Sequence, residues 1–289
     1  MKLFISILVL ILFQDCNPGP DREKEIQDSL HADSIAGYRP DPKGKADDKI
    51  IDGVMLYSVP LVVHRKDHPD SNYEATGFLV KLRDRMLLVS NYHVFMACDT
   101  RRKERIPGIY DSMGCTYLSA TGAAQFQLNV RTLQKRHLPI YDFERADIWA
   151  EDVTALLKAK PPQFFLDSVA LETVDTFTNR SLYLFGNVDD ANPFTKFTLK
   201  QVNKPGDSSF QSYYSAGHHY VTNSYLASPA TRGGASGSPV FFVRKDNNRP
   251  QFAGVVLGHS NVPFDVTMIV TPSEVRKEVL MALLRPTNH

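Results

Sequence analysis

The sequence predicts an all-β protein of barrel type. Short apolar, β-prone runs recur along most of the chain, each bounded by clusters of Gly, Pro, Asn, Asp or Ser, the pattern of strands joined by turns. Helical spacing of apolar residues is confined to one segment near the C-terminal end. At 289 residues, 43% hydrophobic and 22% charged, the chain can bury a full core as a single all-β unit.

The first residues read as a targeting signal. Lys2 precedes an apolar run over 3–13, too short to cross a bilayer comfortably and of the length of a signal-peptide core. Residues 1–16 are therefore expected to direct export from a bacterial cell, to the periplasm, the membrane or the medium. Cys16 directly after the run is a candidate lipidation site, through which the protein would be held to a membrane as a lipoprotein. Phe13, Gln14 and Asp15 depart from the small residues usual before such a cysteine. Residues 17–53 are polar, rich in Asp, Lys, Pro and Gly, and have no hydrophobic period, so they read as a flexible tether. A coil of that length spans on the order of 30 Å.

From residue 54 onward the strand-like runs are 54–64, 77–80, 86–90, 125–130, 181–185, Pro239–Val243, 252–257 and Val266–Val270. The runs 77–80 and 86–90, split by the polar 81–85, read as a hairpin that runs straight into His93. At the other end Thr271-Pro272-Ser273-Glu274 has the form of a capping box with proline at the first helical position. Val275, Val279 and Leu283 follow at helical spacing.

Three residues in this frame point to chemistry. Ser236, in Gly233-Gly234-Ala235-Ser236-Gly237-Ser238-Pro239, lies between small residues and leads into an apolar strand. A tight loop of this kind presents a hydroxyl beside free backbone N–H groups, which suits a nucleophile attacking a carbonyl whose oxyanion must be held. His93, in Ser90-Asn91-Tyr92-His93-Val94, is the histidine placed to act as a base. Asp147, in Ala146-Asp147-Ile148-Trp149, opens an apolar stretch where a carboxylate has to be hydrogen-bonded. The chain order is His, Asp, Ser.

With these blocks and Thr76-Gly77-Phe78-Leu79-Val80, the chain resembles the trypsin/chymotrypsin-like serine peptidases. It is more similar to the bacterial branch that includes the glutamyl endopeptidases and the periplasmic heat-shock proteases. The resemblance covers about residues 54–285 and implies a peptidase domain over 54–289: two antiparallel β-barrels of the chymotrypsin type, the active site between them, and a C-terminal helix packed on the second barrel. No appended PDZ domain is expected. His93 would act as general base and then general acid, Asp147 would fix its tautomer, and the amides of Gly234 and Ser236 would form the oxyanion hole. An α/β-hydrolase elbow fits less well, because Ser238 stands where Gly-x-Ser-x-Gly needs its second glycine. The subtilisin order fits less well too, having its acid before the histidine.

The resemblance also places the primary specificity pocket between the segment before Ser236 and Gly254-Val255-Val256-Leu257-Gly258-His259. Ala230 would lie near its base and Val256 on its wall, giving a neutral slot for apolar or small residues. A shifted alignment puts His259 there instead. The backbone of Leu257, Gly258 and His259 would pair with an extended protein or peptide substrate. Ala235 stands where digestive relatives have an aspartate that pairs with a new N-terminus, which excludes that mode of activation, and where bacterial relatives usually have asparagine. Leu257 falls near a position where many relatives have a serine supporting the catalytic aspartate.

Other features narrow the field. A net charge of +1 gives no reason to expect nucleic acid. His64 with His68, and His218-His219, lack companion ligands at recognisable spacing, so neither a metal nor another cofactor is expected. Three cysteines are too few for a disulfide scaffold, and Cys98 and Cys115 are open to either a bridge or two free thiols. Two alternatives stay open: a pseudoprotease that binds peptide segments or a partner protein without cleavage, and an effector that cuts a single protein.

Overall fold

Strand β1 (Ser58–Arg65) follows a short 3₁₀ turn at Met55–Tyr57 and pairs with β2 (Tyr73–Leu82), which turns through Arg83 and Asp84 into β3 (Arg85–Ser90). This is the computed structural model of the chain, and it describes residues 53, 55–65, 72–96, 98–99, 104–105, 110–137, 147–172, 181–186, 195–202, 224–231, 233–244, 249–260 and 266–285. The expected signal over 1–16 and the expected tether over 17–53, apart from Gly53, lie outside the described residues. So do His68, His218 and His219.

A two-stranded ribbon, β4 (Cys98–Asp99) with β5 (Glu104–Arg105), stands apart. β6 (Tyr110–Ser119), β7 (Gly122–Asn129) and β8 (Trp149–Asp152) complete a sheet in the order β7-β6-β1-β2-β3-β8, with β9 (Leu166–Asp167) added parallel to β2. The second unit is a closed six-stranded barrel of β10 (Ser181–Gly186), β11 (Thr195–Gln201), β12 (Ser224–Ser228), β13 (Pro239–Val243), β14 (Pro250–Ser260) and β15 (Val266–Val270). In the first unit the described pairing runs as a path from β7 to β8, and the two units with the C-terminal helix are consistent with the expected chymotrypsin-type pair of barrels.

Burial explains which strands were legible. In β7 one face is buried and the other is wet: Ala124, Phe126 and Leu128 point in, Gln125 and Gln127 out. β2 and β3 are apolar almost throughout because each of their faces meets a different core. Leu79 and Leu88 join the core of the first sheet, with Leu61, Val63, Met113 and Phe126. Phe78, Val80, Leu87 and Val89 turn the other way, into a layer shared with Phe241, Phe252 and Val255 of the second barrel. The barrel has its own interior of Leu182, Leu184, Tyr225, Val240, Val256 and Ile269. Three cores result, and the middle one joins the two units.

The C-terminal helix, Pro272–Ala282, forms where its spacing predicts it. Its packing departs from the expectation of a helix resting on the second barrel. Val275, Val279 and Ala282 enter the middle layer, so the helix lies in the seam and touches β8 and the 3₁₀ turn Ser168–Glu172 as well as β14. Its start departs as well. Thr271 makes no side-chain cap bond, its hydroxyl meeting Ser273 Oγ at 3.0 Å, while Glu274 takes Lys277 at 2.6 Å. Cys115 is a free thiol buried in the first core.

Candidate active site

The short helix Tyr92–Met96 begins two residues after β3 ends and swings His93 toward the stretch before β8. Asp147 meets it there with both oxygens: Oδ1 accepts the His93 backbone N–H at 2.8 Å, and Oδ2 lies 2.5 Å from His93 Nδ1. Asn91 Nδ2 and the Tyr92 N–H both donate to the Asp147 carbonyl, at 2.9 and 3.2 Å. Four bonds thus lock the two segments together, and the carboxylate is only 3% exposed. Burial by itself pulls the His93 imidazole down, but the charge of Asp147 and its hydrogen bond outweigh it and hold the imidazole above its ordinary value. An imidazole fixed in this way, with Nδ1 on a carboxylate, has its Nε2 left as the basic nitrogen.

Ser236 lies on the turn that leads into β13. The Ser238 N–H closes the turn on the Ala235 carbonyl at 3.0 Å, and the Gly237 N–H donates to the Val256 carbonyl at 2.9 Å. Gly234 and Gly237 take φ of 91° and 84°, the left-handed region that favours glycine. At Gly237 space is short as well, since a Cβ would come within 2.1 Å of both Ser90 Oγ and the Thr76 carbonyl.

The first sheet reaches across to this turn through Thr76. Its N–H donates to the Ser236 carbonyl at 3.0 Å and its hydroxyl to the Gly234 carbonyl at 3.2 Å, while Ser90 Oγ holds the Thr76 carbonyl at 2.7 Å. Thr76 belongs to one of the motif blocks, yet nothing in the chain marked it as the residue that grips the loop. Tyr73, three residues earlier, has its phenol pushed up to about 12, chiefly by burial and the neighbouring Tyr110, with Ser236 and Asp147 close enough to act on it. Tyr73 carried no sequence signal, and Asn91, although it stands in the block around His93, gave no sign of its bond to Asp147.

The expected specificity residues are divided by the fold. Val256 is fully buried in the interior of the second barrel, among Leu184, Val240 and Ile269, so its side chain belongs to that core rather than to an open slot. Its backbone is committed too, with the N–H donating to the Ser238 carbonyl at 3.0 Å. Leu257 turns into the middle layer beside Ile148 and Val255. The strand alternates here, and a register shift between Val256 and Gly258 then brings Gly258 to a half-buried position and His259 to the surface. Ala230 is half-buried. Ala235 is buried in the barrel interior, where its methyl group packs. Trp149 is a core residue, set edge-on to Tyr92 with its N–H on Glu151 at 3.1 Å. Cys16 lies outside the described residues.

No protein-family model matches the chain, and no curated protein matches it in sequence. Solved structures match in fold. The chain is similar to Deg5, at a TM-score of 0.51 and 12% identity, over 82% of this chain and 93% of that one. It is also similar to the Rv3671c protease from M. tuberculosis in its active form, at a TM-score of 0.48 and 15% identity, over 86% of this chain and 90% of that one. A thermostable serine protease, AL20, from an extremophilic microorganism gives 0.44 and 10% identity, over 78% and 97%. At these identities the likeness concerns the fold, which is the chymotrypsin-type pair of β units with a C-terminal helix.

Proposed function

We propose that the protein is a serine endopeptidase that cleaves peptide bonds through His93, Asp147 and Ser236. One observation carries most weight: the His93–Asp147 pair is closed at 2.5 Å and doubled by a backbone bond, on a sheet that also grips the serine-bearing turn through the Thr76 N–H and the Ser236 carbonyl. In this mechanism Ser236 Oγ bonds to the substrate carbonyl carbon as its proton passes to His93 Nε2. Asp147 stabilises the imidazolium through Nδ1–H, and that proton then goes to the leaving amine. Water deacylates the resulting ester by the same route. The oxyanion would be held by the Gly234 and Ser236 amides, neither of which donates to another described residue.

The finer parts of the reading follow the sequence. The domain 54–289 would be exported behind a signal over 1–16 and a tether over 17–53, with Cys16 the candidate lipid anchor. Cleavage is expected after apolar or small residues, since Ala230 and Gly258, the half-buried positions of the expected pocket, carry no charge; a peptide-library profile led by Glu or by Arg and Lys would overturn that preference. The test of the whole is fluorophosphonate labelling of the purified 17–289 protein. Labelling that disappears in Ser236→Ala and in His93→Ala supports the peptidase, with turnover losses of up to about 10⁶ on a good substrate. A folded wild type that takes no label would point to the non-cleaving, peptide-binding alternative.

A further inference from the structure

We propose that Arg285, just past the C-terminal helix, is a positioning residue for the catalytic pair: its guanidinium fixes Trp149 and the start of β8, and through them holds Asp147 against His93. The proposal rests on the peptidase reading above.

The chain brings Arg285 to its seat by continuing the helix with a tighter turn. The N–H groups of Leu283, Leu284 and Arg285 donate to the carbonyls of Leu280, Met281 and Ala282 at 3.1, 3.0 and 3.3 Å. That turn leaves Leu284 77% exposed, whereas the Arg285 side chain is only 12% exposed. An arginine in the seam beside a leucine at the surface reverses the usual order of burial, and such a cation stays in only where its charge and donors are met. Here they are: Nη1 donates to the Ala150 carbonyl at 2.8 Å, Nη2 pairs with Glu278, and Cζ lies 3.5 Å from the centre of the Trp149 ring. A planar guanidinium can stack on a ring while its edges bond, which an ammonium cannot.

These contacts fall on the residues that frame the site. Trp149 and Ala150 open β8 directly after Asp147 and Ile148. The Trp149 ring also meets Tyr92, edge to face at 5.6 Å, and its N–H is held by Glu151 at 3.1 Å. Tyr92 is the chain neighbour of His93 and donates its own N–H to the Asp147 carbonyl at 3.2 Å. One ring therefore bears on both segments, since its strand carries the acid and the ring beside it belongs to the helix that carries the base. Asp147 has to meet two N–H groups of His93 at once, the backbone at 2.8 Å and Nδ1 at 2.5 Å. A two-point grip of this kind tolerates little displacement, because each bond weakens steeply as its angle closes. Arg285 removes the freedom of Trp149 and Ala150 to shift, and so keeps both bonds in register.

Proton NMR tests this without a substrate. The Nδ1 proton between His93 and Asp147 lies far downfield, as in any short N–H···O bond, and is identified by its absence from His93→Ala. In Arg285→Met, which keeps an apolar stem and loses the fork, that peak should move or broaden away; a peak identical to that of the wild type would overturn the proposal. Glu278→Gln separates positioning from mere docking of the helix. It removes the ion pair but leaves the guanidinium on Ala150 and Trp149, so it should lower the unfolding temperature and leave the peak in place. An equal change of the peak in both variants would overturn the role given to the guanidinium. Arg285→Lys restores a cation for Glu278 and should recover stability without recovering the peak, whereas recovery of both would show that any cation serves and overturn that role. On a peptide substrate Arg285→Met should lower kcat about tenfold with KM unchanged, and move the acid limb of kcat/KM to lower pH as Asp147 loosens from the imidazole. A change confined to KM, or an acid limb that stays in place, would overturn the positioning. A wild type that shows the peak but takes no fluorophosphonate label would overturn the peptidase reading and the catalytic part of this proposal with it; a labelled wild type whose peak is unmoved in Arg285→Met would overturn this proposal alone.

Discussion

His93 makes opposite demands on pH. As a base it must be neutral, so activity should fall as pH drops through an imidazole value held above the usual 6.5 by Asp147. The same raised value means that the folded state binds the proton more tightly than the unfolded chain. Its contribution to stability is complete below about 6.5 and is lost as pH rises through the folded value. Asp147→Asn should therefore move the acid limb of kcat/KM to lower pH and reduce kcat by up to about 10⁴, as expected when the imidazole loses its orienting carboxylate. An acid limb that stays in place in this variant would show that another group sets it. Thr76→Val removes the hydroxyl that reaches the buried Gly234 carbonyl and should cost about 1–3 kcal/mol, with slower labelling of Ser236. Urea titration and labelling on the same samples check both effects. His93, Asp147 and Ser236 could be picked out from residue type and flanking pattern, because chemistry restricts which side chains serve those roles. Thr76 and Tyr73 could not, since a threonine and a tyrosine at the start of a strand are ordinary until the strand's neighbour is known.

At the scale of elements, the turn before β13 and the C-terminal helix make different predictions. Gly237→Ala puts a methyl group into Ser90 Oγ and the Thr76 carbonyl at a φ of 84°, so the backbone must give way. A loss of at least about 2 kcal/mol and abolished labelling are expected. The helix is held by more than its apolar stripe. Arg285, just past its end, donates to the Ala150 carbonyl at 2.8 Å, pairs with the nearly buried Glu278, and lies over the Trp149 ring at 3.5 Å. Arg85 of β3 adds a bond to the Ala282 carbonyl at 3.5 Å. Removing the guanidinium in Arg285→Ala should cost about 2–4 kcal/mol, because the Ala150 carbonyl, Glu278 and the Trp149 ring lose their shared cation together. Thermal unfolding measures it, and a shift within error would mean that the clamp is ornamental. The helix was legible from Val275, Val279 and Pro272. Its seat was not, because an apolar stripe says that a partner exists without saying which.

For the molecule as a whole, the middle core decides whether two units behave as one. Phe78 of β2 and Phe252 of β14 lie 5.5 Å apart between ring centroids, and Phe241 meets Phe252 at 5.9 Å. Phe78→Ala should cost about 3–5 kcal/mol, a large share of a typical total of about 5–15. It should also split a single urea transition into two, as the sheet and the barrel lose their shared layer. A lone transition with an unchanged slope would argue that the units are joined by other means.

Composition, alternation and turn residues were enough to determine that this is a strand-dominated chain with a late helix, though not the helix Val130–His137 that follows β7. They also brought out the three side chains suited to acyl transfer, because each of these rests on local spacing and on what a residue type can do. Only the tertiary structure decided that Val256 enters a barrel interior and that the helix lies in a seam. It alone placed Thr76 on Gly234, 158 residues away. Contacts of that separation depend on how two sheets close against each other, and no local pattern in the chain records that geometry.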